Sequence, residues 1–261
     1  MFTTLAFQQS LDPAGVFTQV TPAGAEQSVT IRGNAIQVPT LAQVILAAAG
    51  VEIAVESFAR FVAPSLRQFL NINVEPFSSA AAAAVTPANP HPLVDLRRTP
   101  TPLVPGEALT FELSSNPAAA QIQWGVIWLA DGPVAPLEGA IRTARATGAT
   151  ALVANSWTAV PMLFTEDLPR GRYQLVGLRA RSAGLVAARA VFVGPAAGAR
   201  PGCLGTPLQQ GIAHEAFRFG QLGVWGEFED IEPPQIECLS VSADAAEDFY
   251  LDLIQTRLGP G

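Results

Sequence analysis

Apolar and polar positions alternate along much of the chain beyond residue 105. Leu109, Phe111 and Leu113 are interleaved with Thr110 and Glu112, and Ile122, Trp124, Val126 and Trp128 fall on one side of a second segment. A period of two is that of a strand with one buried face. Further alternating or apolar runs cover 151–164, 173–180, 185–193 and 222–228. Turn formers separate them at Asn116-Pro117, Asp131-Gly132-Pro133, Pro169-Arg170-Gly171, Ala183-Gly184 and Gly194-Pro195. Short strands punctuated in this way predict an antiparallel β-sandwich over 106–241 and disfavour a parallel α/β enzyme fold. Its inner face is expected to carry Phe111, Trp124, Trp128, Leu175 and Phe192.

Different patterns flank this region. Residues 28–38 predict a β-hairpin, with Val29 and Ile31 alternating before Gly33-Asn34 and Ile36 and Val38 after it. Between 41 and 62, Leu41, Val44, Ile45, Ala48, Ile53, Val55, Phe58, Phe61 and Val62 return every three or four residues, which predicts two packed helices. Residues 78–105 hold Ala80 to Ala84 in an unbroken row and prolines at 87, 90, 92, 100, 102 and 105, the composition of an extended connector. At the far end, Asp244 with Glu247 resembles a capping box, Phe249 with Leu253 and Tyr250 with Ile254 form i, i+4 pairs, and Gly259-Pro260 is a stop signal. These predict a C-terminal amphipathic helix. The expected organisation is therefore mainly β: arm, hairpin and helices over 1–77, connector over 78–105, sandwich over 106–241, helix and tail over 242–261. No internal repeat period is visible.

The first 20 residues carry Phe2, Leu5, Phe7, Val16, Phe17 and Val20 without a regular period. Such an arm either tucks onto its own domain or lies across a neighbour. Phe2, Leu5, Phe7 and Phe17, together with Tyr250 and Ile254 on the last element, are the candidate self-assembly contacts.

Composition sharpens this expectation. Charged residues make up only 14% of the chain, against roughly 25% in an ordinary soluble domain, so part of the surface is expected to be covered by neighbouring copies. The net charge is −7, all 15 cations are Arg, and the first of them is Arg32. The pairs Arg97-Arg98 and Arg179 with Arg181 are too small for a nucleic-acid tract, so strong direct nucleic-acid binding is not expected. Without lysine there is no Schiff-base or Walker-type chemistry. The N-terminus lacks the pattern of a signal peptide, which predicts synthesis in the cytosol. The apolar stretch 41–62 is interrupted by Gln43, Gly50, Glu52, Glu56 and Arg60, which argues against a membrane span.

Candidate chemistry is sparse. His91 and His214 are the two histidines, and no Gly-x-Ser-x-Gly elbow accompanies them. Cys203 and Cys238 with the histidines number four possible zinc ligands, but no pair has the spacing of a metal knuckle, and two cysteines make no disulfide framework. No cofactor is expected. Glu227, Glu229, Asp230 and Glu232 lie close together, and alternation would put Trp225, Glu227 and Glu229 on one strand face, compatible with paired carboxylates or with a solvated strand end. Phe217, Phe219 and Trp225 flank Gly220 and Gly223; such aromatics serve sugar binding or a sandwich core.

Two stretches carry a resemblance. The run Arg200-Pro201-Gly202-Cys203-Leu204-Gly205, followed by Phe217-Arg218-Phe219-Gly220-Gln221-Leu222-Gly223-Val224-Trp225-Gly226, resembles the later part of jelly-roll major capsid proteins of small bacterial viruses. Pro102-Leu103-Val104-Pro105-Gly106-Glu107-Ala108-Leu109 resembles the segment leading into their sandwich. The resemblance implies a β-sandwich in a virion shell, trimeric or similar capsomers, arms exchanged between copies, and other virion proteins as further partners. It transfers no site residue, and at 261 residues a single jelly roll with an N-terminal helical portion is expected. The alternatives are a β-sandwich binding module for a carbohydrate or protein ligand, and a hydrolase using the acidic cluster near Glu227.

Overall fold

Nearly every described segment with regular structure is a strand: in a computed structural model the chain is 53% strand and 4% helix. The structure describes residues 1–51, 57–68, 70–78, 92–194, 198–206, 214–243 and 247–258. The chain forms two units, an N-terminal one of Thr3–Pro133 and a C-terminal one of Val134–Gly261 with Met1–Phe2.

The N-terminal unit contains β1 (Phe2–Leu11) from Thr3 onward, β2 (Thr18–Val20), β3 (Ile31–Arg32), β4 (Ala35–Gln37), β5 (Gln43–Val51), β6 (Ser57–Val62), β7 (Ile72–Val74), β8 (Phe77–Ser78), β9 (Val94–Asp95), β10 (Thr101–Pro102), β11 (Ala108–Ser115) and β12 (Gln121–Ala130). One sheet runs β1-β12-β5-β10, with β8 and β9 also on β5; the other runs β3-β4-β11-β6-β7, with β2 on β11. Leu5, Phe7, Val44 and Ile127 of the first sheet share a core with Ile36, Ala59, Phe61 and Phe111 of the second, so the unit is a sandwich. Phe7, Phe61 and Phe111 sit at its centre with ring centroids 4.8 to 6.1 Å apart. Gly125 makes room for them, because a Cβ there would approach the Phe111 ring to 2.6 Å.

The C-terminal unit contains β13 (Arg142–Gly148), β14 (Thr158–Val160), β15 (Leu163–Phe164), β16 (Gly171–Arg181), β17 (Leu185–Val191), β18 (Gly202–Thr206), β19 (Gly226–Glu229), β20 (Gln235–Ser240) and β21 (Glu247–Leu258). Its strands follow the path β14-β20-β17-β18-β16-β21-β13-β15, with β19 also on β16. The path turns a corner at β18, which joins β16 through only two parallel pairs, Ala180 with Gly205 and Arg181 with Thr206. Beyond the corner the halves close on each other, since Gly148 of β13 lies against Val160 of β14.

The two units share one topology. Counting eight strand positions in chain order, with β2 to β4 as the second position and β8 to β10 as the sixth, one N-terminal layer reads 1-8-3-6 and the other 2-7-4-5. With β13, β14, β16, β17, β18, β19, β20 and β21 as the eight positions, the C-terminal unit reads the same, with the two-residue β15 added outside β13 as a ninth strand. Both follow from one ribbon that pairs 1 with 8, 2 with 7, 3 with 6 and 4 with 5 and then curls, antiparallel in its described registers except for the short parallel contact of β8 with β5.

Several expectations are corrected. The two helices at 41–62 are replaced by strands β5 and β6 where the region is described. β5 is a central strand buried on both faces, so its run of Val, Ile, Leu and Ala has no alternation to reveal it. In β6 the period is two, with Ala59 and Phe61 buried and Phe58 exposed. The C-terminal helix is likewise replaced by β21, a twelve-residue strand. The i, i+4 pairs that suggested a helix also fit a period of two, and Leu251, buried with Phe249 and Leu253, is what a strand requires. Asp244 of the expected cap, and Ala80 to Ala84 of the connector, lie outside the described residues.

The division into units falls at Pro133 and Val134, not within 78–105, so two β units replace a single sandwich with a helical portion. The expected inner face also divides. Phe111 belongs to the N-terminal core, and Leu175 and Phe192 are buried in the C-terminal unit. Trp124 and Trp128 are buried on the face of β12 opposite to Ile127. The hairpin forms as expected, with Ile31 opposite Ile36 and Arg32 opposite Ala35.

Candidate functional site

The sequence suspects for catalysis do not converge. On β19, Gly226 and Phe228 are buried while Glu227 and Glu229 face solvent, and Trp225, just before the strand, is buried edge-on against Phe2 with centroids 5.3 Å apart. Glu227 forms an ion pair with Arg172 at 2.7 Å and accepts a hydrogen bond from the Gln174 amide at 2.8 Å. Among the described residues no group of three or more His, Cys, Asp or Glu side chains could hold a metal ion. His214 caps a short 3-10 turn, Glu215–Phe217, with Nδ1 accepting from the Ala216 N–H at 3.2 Å. His91 lies outside the described residues.

Cys203 and Cys238 are both buried and free. Each is the register partner of Ala188 on β17, one from either side. Two strand spacings of about 4.8 Å therefore separate them, beyond the Cα reach of about 7 Å for a disulfide. Burial pushes the Cys203 thiol up to about 12 and holds that of Cys238 well above its ordinary value.

The candidate self-assembly contacts fall into three groups. Phe2, Leu5 and Phe7 are at most 2% exposed within their own chain, so the arm is tucked as strand β1. Phe17 is 43% exposed and lies under the Arg60 guanidinium, 4.0 Å from it. Beside it Ser57, Phe58, Asn73, Val74 and Pro76 complete an open groove of about 700 Å³. Tyr250 and Ile254 are half-buried on β21.

Around Tyr250 the fold assembles a charged face that the sequence alone does not show. Phe249, Leu251 and Leu253 turn inward, so Asp248, Tyr250 and Asp252 project from the other side of β21. Register sets Arg145 of β13 and Arg179 of β16 on either side of Tyr250, and Arg181 beside Asp248. Asp248 accepts from Arg145 at 2.7 Å and Arg181 at 2.6 Å. The Arg145 hydrogen bond is the leading reason that its carboxyl stays below the ordinary range. Asp252, fully buried, accepts from Arg218 at 2.6 and 2.9 Å, from the Thr143 hydroxyl at 2.7 Å and from the Phe219 N–H at 2.9 Å. The loop that brings Arg218 can approach because position 177 is glycine; a Cβ there would meet Asp252 Oδ2 at 2.6 Å.

Four guanidinium groups thus meet two carboxylates on this face, and both carboxylates are committed. Arg179 makes no ion pair among the described residues. Its guanidinium lies 5.2 Å from the Tyr250 ring, and its Nε is buried without a hydrogen-bond partner. Burial above all, then the like charge of Arg181, lowers its pKa from the ordinary arginine value. Arg179 and Arg181 stand two apart in the sequence, a spacing that marks a shared strand face. Arg145 and Arg218 join them only through pairings that span dozens of residues.

Comparison with known proteins gives no matching family model, no matching curated sequence and no matching solved structure.

Proposed function

We propose that this protein is a structural subunit that assembles with copies of itself into a viral capsid shell, each of its two units being a jelly roll. The observation that carries this reading is the repeated strand order, 1-8-3-6 facing 2-7-4-5. This is the jelly-roll arrangement of eight strands in two layers, a fold used by capsid and lectin domains. A tandem of two such units on one chain lets a trimer present six topologically equivalent modules, an economical tile for a closed shell. The low charge content, and the large apolar side chains left at the surface, such as Phe58 at 58% and Leu163 at 71% exposure, also suit a protein whose surface is covered by neighbours.

On this reading the chain has no catalytic role, its partners are other copies and other virion proteins, and its place is the virion. Sedimentation velocity and electron microscopy of the purified protein test it. Trimers or larger closed particles are expected, with assembly sensitive to ionic strength because each copy carries a net charge of −7. A monomer at all concentrations and ionic strengths would refute it. A cavity of about 470 Å³ lined by Arg142, Leu168, Pro169, Tyr173 and Ile254 favours one second reading, a ligand-binding module. That reading expects a monomer with saturable ligand binding lost in Tyr173→Ala.

A further inference from the structure

We infer that the arginine face centred on Arg179 is a docking surface for a second copy of this chain, and that it receives the acidic turn Glu229-Asp230-Ile231-Glu232 of that copy. The inference rests on the self-assembly reading above and names the contact that it would use. Arg179 is held in place beside Tyr250 without an ion-pair partner, while the two carboxylates on its face are already occupied by Arg145, Arg181 and Arg218. A guanidinium keeps its charge even when partly buried. Arg179 is thus a preorganised cation that no carboxylate among the described residues pairs directly; Asp248 acts on it only at longer range, its oxygens being taken by Arg145 and Arg181.

The same chain carries the complement. Asp230 is engaged by the Gly171 N–H at 2.8 Å and the turn is closed by the Glu232 N–H on the Glu229 carbonyl at 2.9 Å. Glu229 and Glu232 are exposed, make no ion pair among the described residues, and flank Ile231, which is 88% exposed at the tip. An apolar tip between two carboxylates matches a phenol ring bordered by guanidinium groups in both charge and polarity. In a chain of net charge −7, a local excess of cations is also the feature that lets like-charged copies approach in a fixed orientation. Because one surface meets a different one, the contact is head-to-tail, the type that closes into rings.

The test uses the full chain and a fluorescein-labelled peptide of residues 226–234, followed by anisotropy at low salt. Binding is expected, weakened about tenfold by Arg179→Gln and by Glu229→Gln with Glu232→Gln in the peptide, as for loss of one charged contact at an interface. Arg67→Gln removes an exposed arginine in the other unit and is expected to leave binding unchanged. The peptide substitutions leave the folded chain untouched, so the result stands even if Arg179→Gln proves unstable. Equal binding by the substituted peptide, or equal weakening by Arg67→Gln, would overturn the inference. In sedimentation, Arg179→Glu should reduce association and Arg179→Glu with Glu232→Arg should restore it. Particles that form unaltered in Arg179→Glu would overturn the docking contact and leave the capsid reading standing. A wild-type monomer would sink the capsid reading, with the peptide assay still deciding the contact.

Discussion

Phe7 and Phe17 look alike in the sequence, both apolar residues of an unpatterned N-terminal arm, yet the fold separates them sharply. Phe7 is fully buried between Phe61 and Phe111, at centroid distances of 6.1 and 6.0 Å, whereas Phe17 is 43% exposed. Phe7→Ala removes most of a ring from the centre of the N-terminal core and leaves a cavity that strands on both sides cannot close. Substitutions of this kind cost about 3–5 kcal/mol, a large share of the roughly 5–15 kcal/mol by which a domain is stable. For an m-value of about 2 kcal/mol/M, the urea midpoint of the N-terminal unit should fall by about 2 M. Phe17→Ala should cost under about 1 kcal/mol, as expected of a side chain still largely in water. Urea titration followed by tryptophan emission in the background of Trp157→Phe and Trp225→Phe checks both, since the remaining Trp124 and Trp128 of β12 lie in the same unit as Phe7 and Phe17. A loss below about 1 kcal/mol in Phe7→Ala, or equal losses in the two variants, would refute the placement of the arm as a core strand.

Three further outcomes follow from the C-terminal unit. Asp252→Ala strands the Arg218 guanidinium, 14% exposed, without its carboxylate and should destabilise by about 3–5 kcal/mol; hydrogen exchange along β21 should accelerate, and less so in Asp252→Asn, which keeps an acceptor oxygen. The depressed carboxyl of Asp248 contributes stability that is complete above its unfolded pKa of about 3.9 and is lost as pH falls through its lower folded value. Asp248→Asn should therefore be less stable than wild type at pH about 7, with the gap in urea midpoint narrowing by pH about 3. Cys203 and Cys238, whose thiols burial holds protonated, should resist iodoacetamide at pH about 8 in the native protein and react in urea; rapid native labelling would contradict their burial.

The β character of the chain is legible from its residues alone wherever one face of a strand meets water. Leu109, Phe111 and Leu113 alternate with polar neighbours and are strand β11; the hairpin about Gly33-Asn34 forms in the expected register. Where a strand is buried on both faces, as β5 is, the alternation that would identify it vanishes, and local propensity points the wrong way. β21 was hidden for a second reason, since its apolar positions fit both a helical and a strand period until Leu251 is weighed. Everything carried by long-range pairing was out of reach of local pattern. The duplicated strand order leaves no repeat in the sequence, because topology is a matter of which strands meet and many side chains satisfy the same half-buried positions. The arginine face is of the same kind: Arg179 with Arg181 is an unremarkable pair until β13, β21 and the loop at Arg218 are laid beside it, and only then do four guanidinium groups share two carboxylates.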